Sequence, residues 1–357
     1  MHDAEPAAAP PCGRDDEAPW RTPVRGGHPD PALAARPGIA FLDALLAGDT
    51  PAPPLARLIG MEPVTLRADC SRYTMPLSPW LRADDGRIPL GVLAIPADTA
   101  MACAIIADLP ADTAITTSEL GLRQVRPAPP GGMLVTTAAV VHLGPVVALA
   151  EVTVADDTGA LIARGGSLCV ILPFSAGAAG AEGAGRGAAD APGASEDAAH
   201  ARGSGTAAGP AHARGSGTAS GLDPWQRQSP HAGLPRLTGL APRAVAAGDA
   251  VFALPATQWL CAPPPGRVQG GAVAMLAGAA IEAAMQTAAP AGHRFAPLEL
   301  KLNYLRPLAS DGREATGHAT LVHAGRRTAV ARAEVTDADG RAIAVASGSA
   351  IAEPLAS

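Results

Sequence analysis

The chain has 357 residues, 48% hydrophobic and only 3% aromatic, with a formal net charge of −6. That length allows two domains with a sizeable core, and the acidic balance without a Lys/Arg cluster excludes a nucleic-acid footprint. Five scattered cysteines (Cys12, Cys70, Cys103, Cys169, Cys261) make no CxxC pair and no metal spacing. They fit reduced thiols in the cytoplasm, and no secretory pattern opens the chain. The most apolar window, residues 272–289, is Ala-rich and carries Glu282. It reads as a buried helix, so no membrane partner is expected.

Residues 1–38 are rich in Pro, Ala, Gly and charge, without a sustained period, and read as a disordered arm. Phe41–Leu46 looks like a short amphipathic helix stopped by Gly48 and Pro51. Residues 58–76 hint at a strand pair, and 79–88 are loop with a turn at Asp84-Asp85-Gly86. A glycine-led apolar helix follows, from about Gly91 to Leu109, ended by Pro110. Strand signals then run over 116–126, 133–142, 146–155 and 161–172, with a hairpin turn at Asp156-Asp157-Thr158-Gly159. Residues 175–221 are nearly all Ala, Gly, Ser and Thr with small charges, and contain a 12-residue echo (199–206 and 211–218). This is a flexible linker with an r.m.s. reach of roughly 35–42 Å. Its two echoed histidines read as repeat slippage, not as metal ligands.

The second half repeats the first. A strand over 251–257, a helix over 270–288 and strands over 298–305, 315–323, 328–336 and 342–352 follow the same order. Arg126-Pro127 and Arg306-Pro307 close equivalent strands 180 residues apart. Agreement at a fixed offset across a helix, a strand end and a hairpin marks an internal duplication. The predicted organisation is a first domain at 39–174, the linker, and a second domain at 222–357.

A helix led by a glycine and wrapped by an antiparallel sheet resembles the hotdog fold. Leu93-Ala94-Ile95-Pro96-Ala97-Asp98-Thr99-Ala100 is similar to the acid-bearing helix of the phenylacetate-type (PaaI-like) acyl-CoA thioesterases. Gln269-Gly270-Gly271-Ala272-Val273 resembles the same helix entered through that family's His-Gly-Gly. The run from Leu298 to Pro307 resembles its following strand. The match spans roughly residues 55–174 and 235–353. The resemblance implies an α+β protein with two hotdog domains forming an intramolecular pseudo-dimer. It also implies hydrolysis of an acyl-CoA, no cofactor beyond the substrate's own CoA, no metal, and possible pairing of two chains. The sequence departs from the family where Pro89 and Gln269 replace the histidine, and where Gly278 replaces the acid kept at Asp98.

Thioester hydrolysis needs a group that activates water or attacks, and donors for the developing oxyanion. A helix N-terminus supplies free N–H groups, and glycine lets a carbonyl approach them. Asp98 lies seven residues beyond Gly91, about 10–11 Å along a helix. Its own helix start is therefore too far away, and a facing helix is required. The expected composite site joins Asp98, as general base or nucleophile, to the Gly270 and Gly271 amides. Gln269 either donates a hydrogen bond or stands at the helix start. Thr117 aligns with a family position whose hydroxyl orients water, and its counterpart Pro297 has none. The reciprocal pairing of Leu90-Gly91 with Gly278 is expected to lack an acid and be inactive. Thr99 reads as helix packing, and His142 and His323 as structural strand-end residues. Arg126 and Arg306 read as solvated or as partners for CoA phosphates, and Glu282 as part of a polar helix face. Other classes stay open. One is a non-catalytic acyl-CoA or acyl-carrier binding module. The other is a dehydratase or hydratase, although neither helix carries the histidine such chemistry usually pairs with its acid.

Overall fold

Two apolar helices set the architecture. The helix α4 (Leu90–Ala107) buries nearly every residue, and α6 (Gly270–Gln286) does the same with smaller side chains. A helix that is apolar all round has to sit inside the protein. α4 is also long and apolar enough to cross a membrane, yet most of it is enclosed by the surrounding protein. The computed structural model describes residues 18–83, 85–174, 233–263 and 265–355.

Each helix lies on six strands. The first half contributes β1 (Glu62–Leu66), β2 (Ser71–Pro76), β3 (Thr113–Gln124), β4 (Met133–Leu143), β5 (Val147–Asp156) and β6 (Leu161–Pro173). The second contributes β7 (Ala241–Ala246), β8 (Asp249–Pro255), β9 (His293–Tyr304), β10 (Glu314–Ala324), β11 (Thr328–Thr336) and β12 (Ala342–Pro354). The twelve form one sheet in the order β1-β2-β4-β5-β6-β3-β9-β12-β11-β10-β8-β7. The order of the second half mirrors that of the first. The fold is α+β, with two hotdog halves sharing a continuous antiparallel sheet.

The halves join where β3 meets β9. Glu119–Arg123 pair with Glu299–Asn303, and Gly121 stands opposite Lys301, its own equivalent 180 residues on. A pseudo-two-fold axis therefore passes through this pair. The ion pairs Lys301–Glu119 (3.0 Å) and Arg123–Glu299 (3.1 Å) cross the seam on the outer face.

The helices pack against one another in opposite directions, and glycines set their closeness. A Cβ on Gly271 would lie 2.5 Å from the Ile95 Cα, and one on Gly91 would lie 2.8 Å from the Met275 Cα. Both clashes are with backbone, so neither can be relieved by turning a side chain. Gly278 faces Gly91, with a virtual Cβ 3.3 Å from its Cα.

Several elements differ from the sequence reading. α3 (Pro54–Ile59) is a short helix where the strand pair was expected to begin. Its Pro at the first turn and left-handed Gly60 at the end are ordinary helix boundaries. β9 begins five residues earlier than expected. Pro297 interrupts the alternation there, but it sits beside a bulge that skips Leu298, a place where a strand tolerates proline. Residues 18–38, read as part of a disordered arm, are seated on the body instead. They include α1 (Pro31–Ala34), and the Trp259 Nε1–H donates to Thr22 O at 3.0 Å. α2 (Gly38–Ala47) then covers one end of α4, with Leu42 and Leu45 buried. In the second half α5 (Gly233–Thr238) leads into β7. The linker expected at 175–221 and the arm before residue 18 lie outside the described residues.

Candidate active site

Asp98 is placed by α4 alone, one carboxylate among apolar neighbours and 4% exposed. The antiparallel packing brings it to the start of α6, where three groups serve it. The Gln269 Nε2–H donates to Oδ2 at 2.6 Å, the Gly271 N–H to Oδ2 at 3.2 Å, and the Thr117 Oγ1–H to Oδ1 at 3.1 Å. Burial pushes the Asp98 carboxyl up to about 6, and the bonds from Thr117, Gly271 and Gln269 limit the rise. A carboxylate offers about four acceptor positions. Three are taken, which leaves one on Oδ1, beside the Thr117 hydroxyl.

Thr117 faces inward because of a bulge. β3 and β6 pair through Thr117 and Glu119 with Ser118 skipped. Beyond the bulge Leu120 and Leu122 point to the core. Before it the parity is reversed, so Ile115 and Thr117 take the inner face while Glu119 turns out to Lys301. The equivalent bulge at Leu298 puts Pro297 on the inner face of β9.

Gln269 has two structural tasks. Its Oε1 accepts from the Ala272 N–H at 3.1 Å, capping α6, while its Nε2 reaches Asp98. Both readings of this residue, as a hydrogen-bond donor and as an occupant of the helix start, describe its position. The two glycine amides differ. The Gly271 N–H is engaged with Asp98. The Gly270 N–H has no hydrogen-bond partner among the described residues, and the Gly270 carbonyl accepts from Tyr304 OH at 2.8 Å. A Cβ on Gly270 would lie 3.0 Å from Asp98 Oδ2, so glycine keeps this corner open.

These groups open into a cavity of about 440 Å³. Phe41, Leu45, Leu55, Met61 and Ile106 give it apolar walls, and Arg267 and Arg306 also line it. Tyr73 and Cys103, hydrogen-bonded to each other at 3.2 Å, close another side. Burial pushes the Cys103 thiol up to about 11, so it stays protonated and unreactive at neutral pH. Thr99 donates back to Ile95 O at 3.0 Å, the local bond expected of a helix-packing threonine. His142 and His323 are exposed beside equivalent bulges at the ends of β4 and β10. Among the described residues no group of three or more His, Cys, Asp or Glu is placed to hold a metal.

The reciprocal corner departs from the sequence reading. Gly278 carries no acid, as the sequence states, but Glu282 supplies one from a turn further along α6. Glu282 does not lie on a solvent-facing polar face. It lines a second cavity, close to the Leu90 backbone at the start of α4. Burial, and then the nearby Asp85 carboxylate, push it up to about 8. Arg126 lines this second cavity. Its guanidinium holds Asp156 and Ala160 O in the β5–β6 turn, and the Thr158 hydroxyl, followed by Arg126, keeps the Asp156 carboxyl well below the usual range. Only spatial packing reveals the role of Glu282, because the acid does not occupy the repeat-equivalent position.

The profile of the thioesterase superfamily matches the chain twice, over residues 90–163 and 265–344. Each segment contains one central helix and the strands that wrap it. Among solved structures, a protein from Novosphingobium aromaticivorans DSM 12444 assigned as a thioesterase is 17% identical. The likeness covers 81% of this chain and 97% of that one, with a TM-score of 0.51. The tesB protein of Mycobacterium avium subsp. paratuberculosis is 11% identical over 84% of this chain and 99% of its own, with a TM-score of 0.52. At such identities the likeness is one of fold. No curated protein matches in sequence.

Proposed function

We infer that the chain hydrolyses an acyl-CoA thioester at one composite site, with α4 supplying the acid and α6 the oxyanion donor. The observation that carries this is the free acceptor position of Asp98 Oδ1. It lies beside Thr117 and next to the unengaged Gly270 N–H, inside an apolar-walled cavity. A water molecule seated there gives one proton to Oδ1 and the other to the Thr117 oxygen. Its lone pair faces the thioester carbon. As the water oxygen attacks, Asp98 takes its proton. The carbonyl oxygen becomes an oxyanion on the Gly270 N–H at the positive end of α6. Collapse breaks the C–S bond, and Asp98 returns the proton to the CoA sulfur, which leaves free acid and CoA.

In this reading Gly271 and Gln269 are positioning residues. Their donors fix the Asp98 carboxylate on Oδ2 and leave Oδ1 for water. Arg267 and Arg306, which line the same cavity, meet the CoA phosphates in this reading, and the walls around Phe41 and Leu45 take the acyl group. The match to the thioesterase superfamily in both halves supports the reaction class. The narrower likeness to phenylacetate-type enzymes rests on the α4 and α6 motifs and the run from Leu298 to Pro307. The test is steady-state release of free CoA from a panel of aryl and medium-chain acyl-CoAs, comparing wild type with Asp98→Asn. The expected result is turnover that the substitution abolishes. Unchanged turnover in the variant overturns the role of Asp98, and no turnover by wild type on any thioester overturns the reaction.

A further inference from the structure

Tyr304 closes β9, and the reaction above gives its phenol no task. The alternation that buries Leu300 and Leu302 turns Tyr304 to the same inner face. Its backbone is held by β12. Tyr304 pairs with Ala344, and the next two N–H groups, of Leu305 and Arg306, both donate to Ile343 O. The phenol therefore arrives on a rigid strand, and it lines the first cavity together with Asp98, Gln269 and Gly270. Its O–H donates to the Gly270 carbonyl at 2.8 Å. A Cβ on Gly270 would lie 3.4 Å from both Cζ and the hydroxyl oxygen, so the phenol rests against this residue. The repeat equivalent is Gln124, which lines the second cavity. The phenol thus stands only on the side that carries Asp98.

The Gly270 carbonyl belongs to the peptide whose other end is the Gly271 N–H. That N–H donates to Asp98 Oδ2 at 3.2 Å. One unbroken line therefore runs from the Tyr304 hydroxyl, through the Gly270–Gly271 peptide, to the carboxylate. A carbonyl that accepts a hydrogen bond polarises its peptide and strengthens the N–H at the far end. The same contact fixes a torsion. Gly270 is the first residue of α6 and has no side chain to restrict its dihedrals. Its Cα joins two peptides with different tasks. The preceding one carries the open Gly270 N–H, and the following one holds Asp98. Anchoring the Gly270 carbonyl sets the angle between those two N–H groups.

Resting on the hydrolase reading above, we propose that Tyr304 is a positioning residue for Asp98, acting through the Gly270–Gly271 peptide and not on the substrate. Its hydroxyl strengthens the N–H that holds Oδ2. It also keeps the Gly270 N–H aimed at the place of the oxyanion. Burial holds the phenol well above its ordinary value, so the donor stays protonated wherever Asp98 titrates. No proton leaves Tyr304 in the reaction.

The test is the ionisation of Asp98 in variants of Tyr304, read in two ways on the full chain. One is the pH dependence of kcat/KM for CoA release. The other needs no turnover: it is the gain in stability that Asp98→Asn brings, followed by denaturant melts from about pH 4 to about pH 9. Tyr304→Phe keeps the ring and loses the donor. Both midpoints should then move above the wild-type value of about 6. At high pH kcat should fall roughly tenfold, with KM within about twofold. The chain has two tyrosines, Tyr73 and Tyr304. In a Tyr73→Phe background, 3-fluorotyrosine therefore enters at position 304 alone. Its phenol is more acidic and a stronger donor, so both midpoints should move below those of the Tyr73→Phe parent. Unmoved midpoints in folded Tyr304→Phe overturn the proposal, as does a fluorotyrosine protein whose midpoints stay or rise. A KM raised roughly tenfold with kcat intact also overturns it, because the phenol would then bind substrate directly. Should Tyr304→Phe not fold, the fluorotyrosine protein carries the test. If the wild type hydrolyses no thioester, the hydrolase reading fails, and the melts still decide whether Tyr304 acts on Asp98.

Discussion

The two cavities are built from the same elements, yet they present opposite surfaces to a ligand. In one, a carboxylate is clamped by Thr117, Gln269 and Gly271, and a backbone N–H stays open beside it. In the other, Glu282 from the opposite helix lines the corner, and two prolines stand where the hydroxyl and the amide would be. Duplication within one chain makes this possible. In a dimer of identical chains, any change to one site changes both. Here α4 and α6 diverge independently, so each corner can keep only one part of the machinery.

The largest expected effect breaks the first site outright. Asp98→Asn should lower kcat roughly 10²- to 10⁴-fold, the range of a lost general base, measured by CoA release. The same substitution should stabilise the fold. The Asp98 carboxyl has its ordinary value of 3.8 in the unfolded chain and about 6 in the native one. Ionisation therefore costs stability as pH rises from about 4 to about 6, and the cost is constant above that. Removing it should gain roughly 2–3 kcal/mol at pH 8 and nothing below pH 4, read by denaturant melts at both pH values. A variant that loses activity and gains no stability at pH 8 contradicts the buried, ionising carboxylate.

Gly271→Ala comes next. Its methyl meets the α4 backbone at Ile95, so the helices must part, at a cost of about 1–3 kcal/mol. The Gly271 N–H would leave Asp98 in the process. A melt equal to wild type would mean the helices are not in the close contact described.

Wild-type kcat/KM should rise with pH through about 6 and then level, since the base works only when ionised. Gln269→Ala removes one of the bonds that hold Asp98 down and one helix cap. The inflection should move above 6, and stability should fall by about 1 kcal/mol. An unmoved inflection in a folded variant would detach Gln269 from Asp98.

The smallest effect lies in the second cavity. Glu282→Gln should leave hydrolysis within twofold. Its carboxyl is raised from 4.5 to about 8 in the fold, so ionisation lowers wild-type stability as pH rises through that window. The gain of the variant over wild type should therefore grow from pH 5 to pH 8. A constant difference in melting temperature across that range would place Glu282 in water.

Much of the fold was legible in the sequence because its signals are local. The 180-residue echo, the two apolar helices and the alternating strands follow from periodicity along the chain. β9 was read short because Pro297 hides a bulge, and bulges leave no period. The arm at 18–38 was read as disordered because its contacts, such as Trp259 with Thr22, come from the other half of the molecule.

The sequence by itself determined that two long apolar helices recur 180 residues apart, that one carries Asp98, and that the other opens with Gln269-Gly270-Gly271. Only the tertiary structure decided which amide serves Asp98 and which stays open. Only it showed that Glu282, far from the equivalent position, lines the second cavity beside the start of α4. The reason is geometric. A helix repeat fixes which residues share a face within one segment. Which faces meet depends on how closely two segments cross, and here Gly91, Gly271 and Gly278 set that distance.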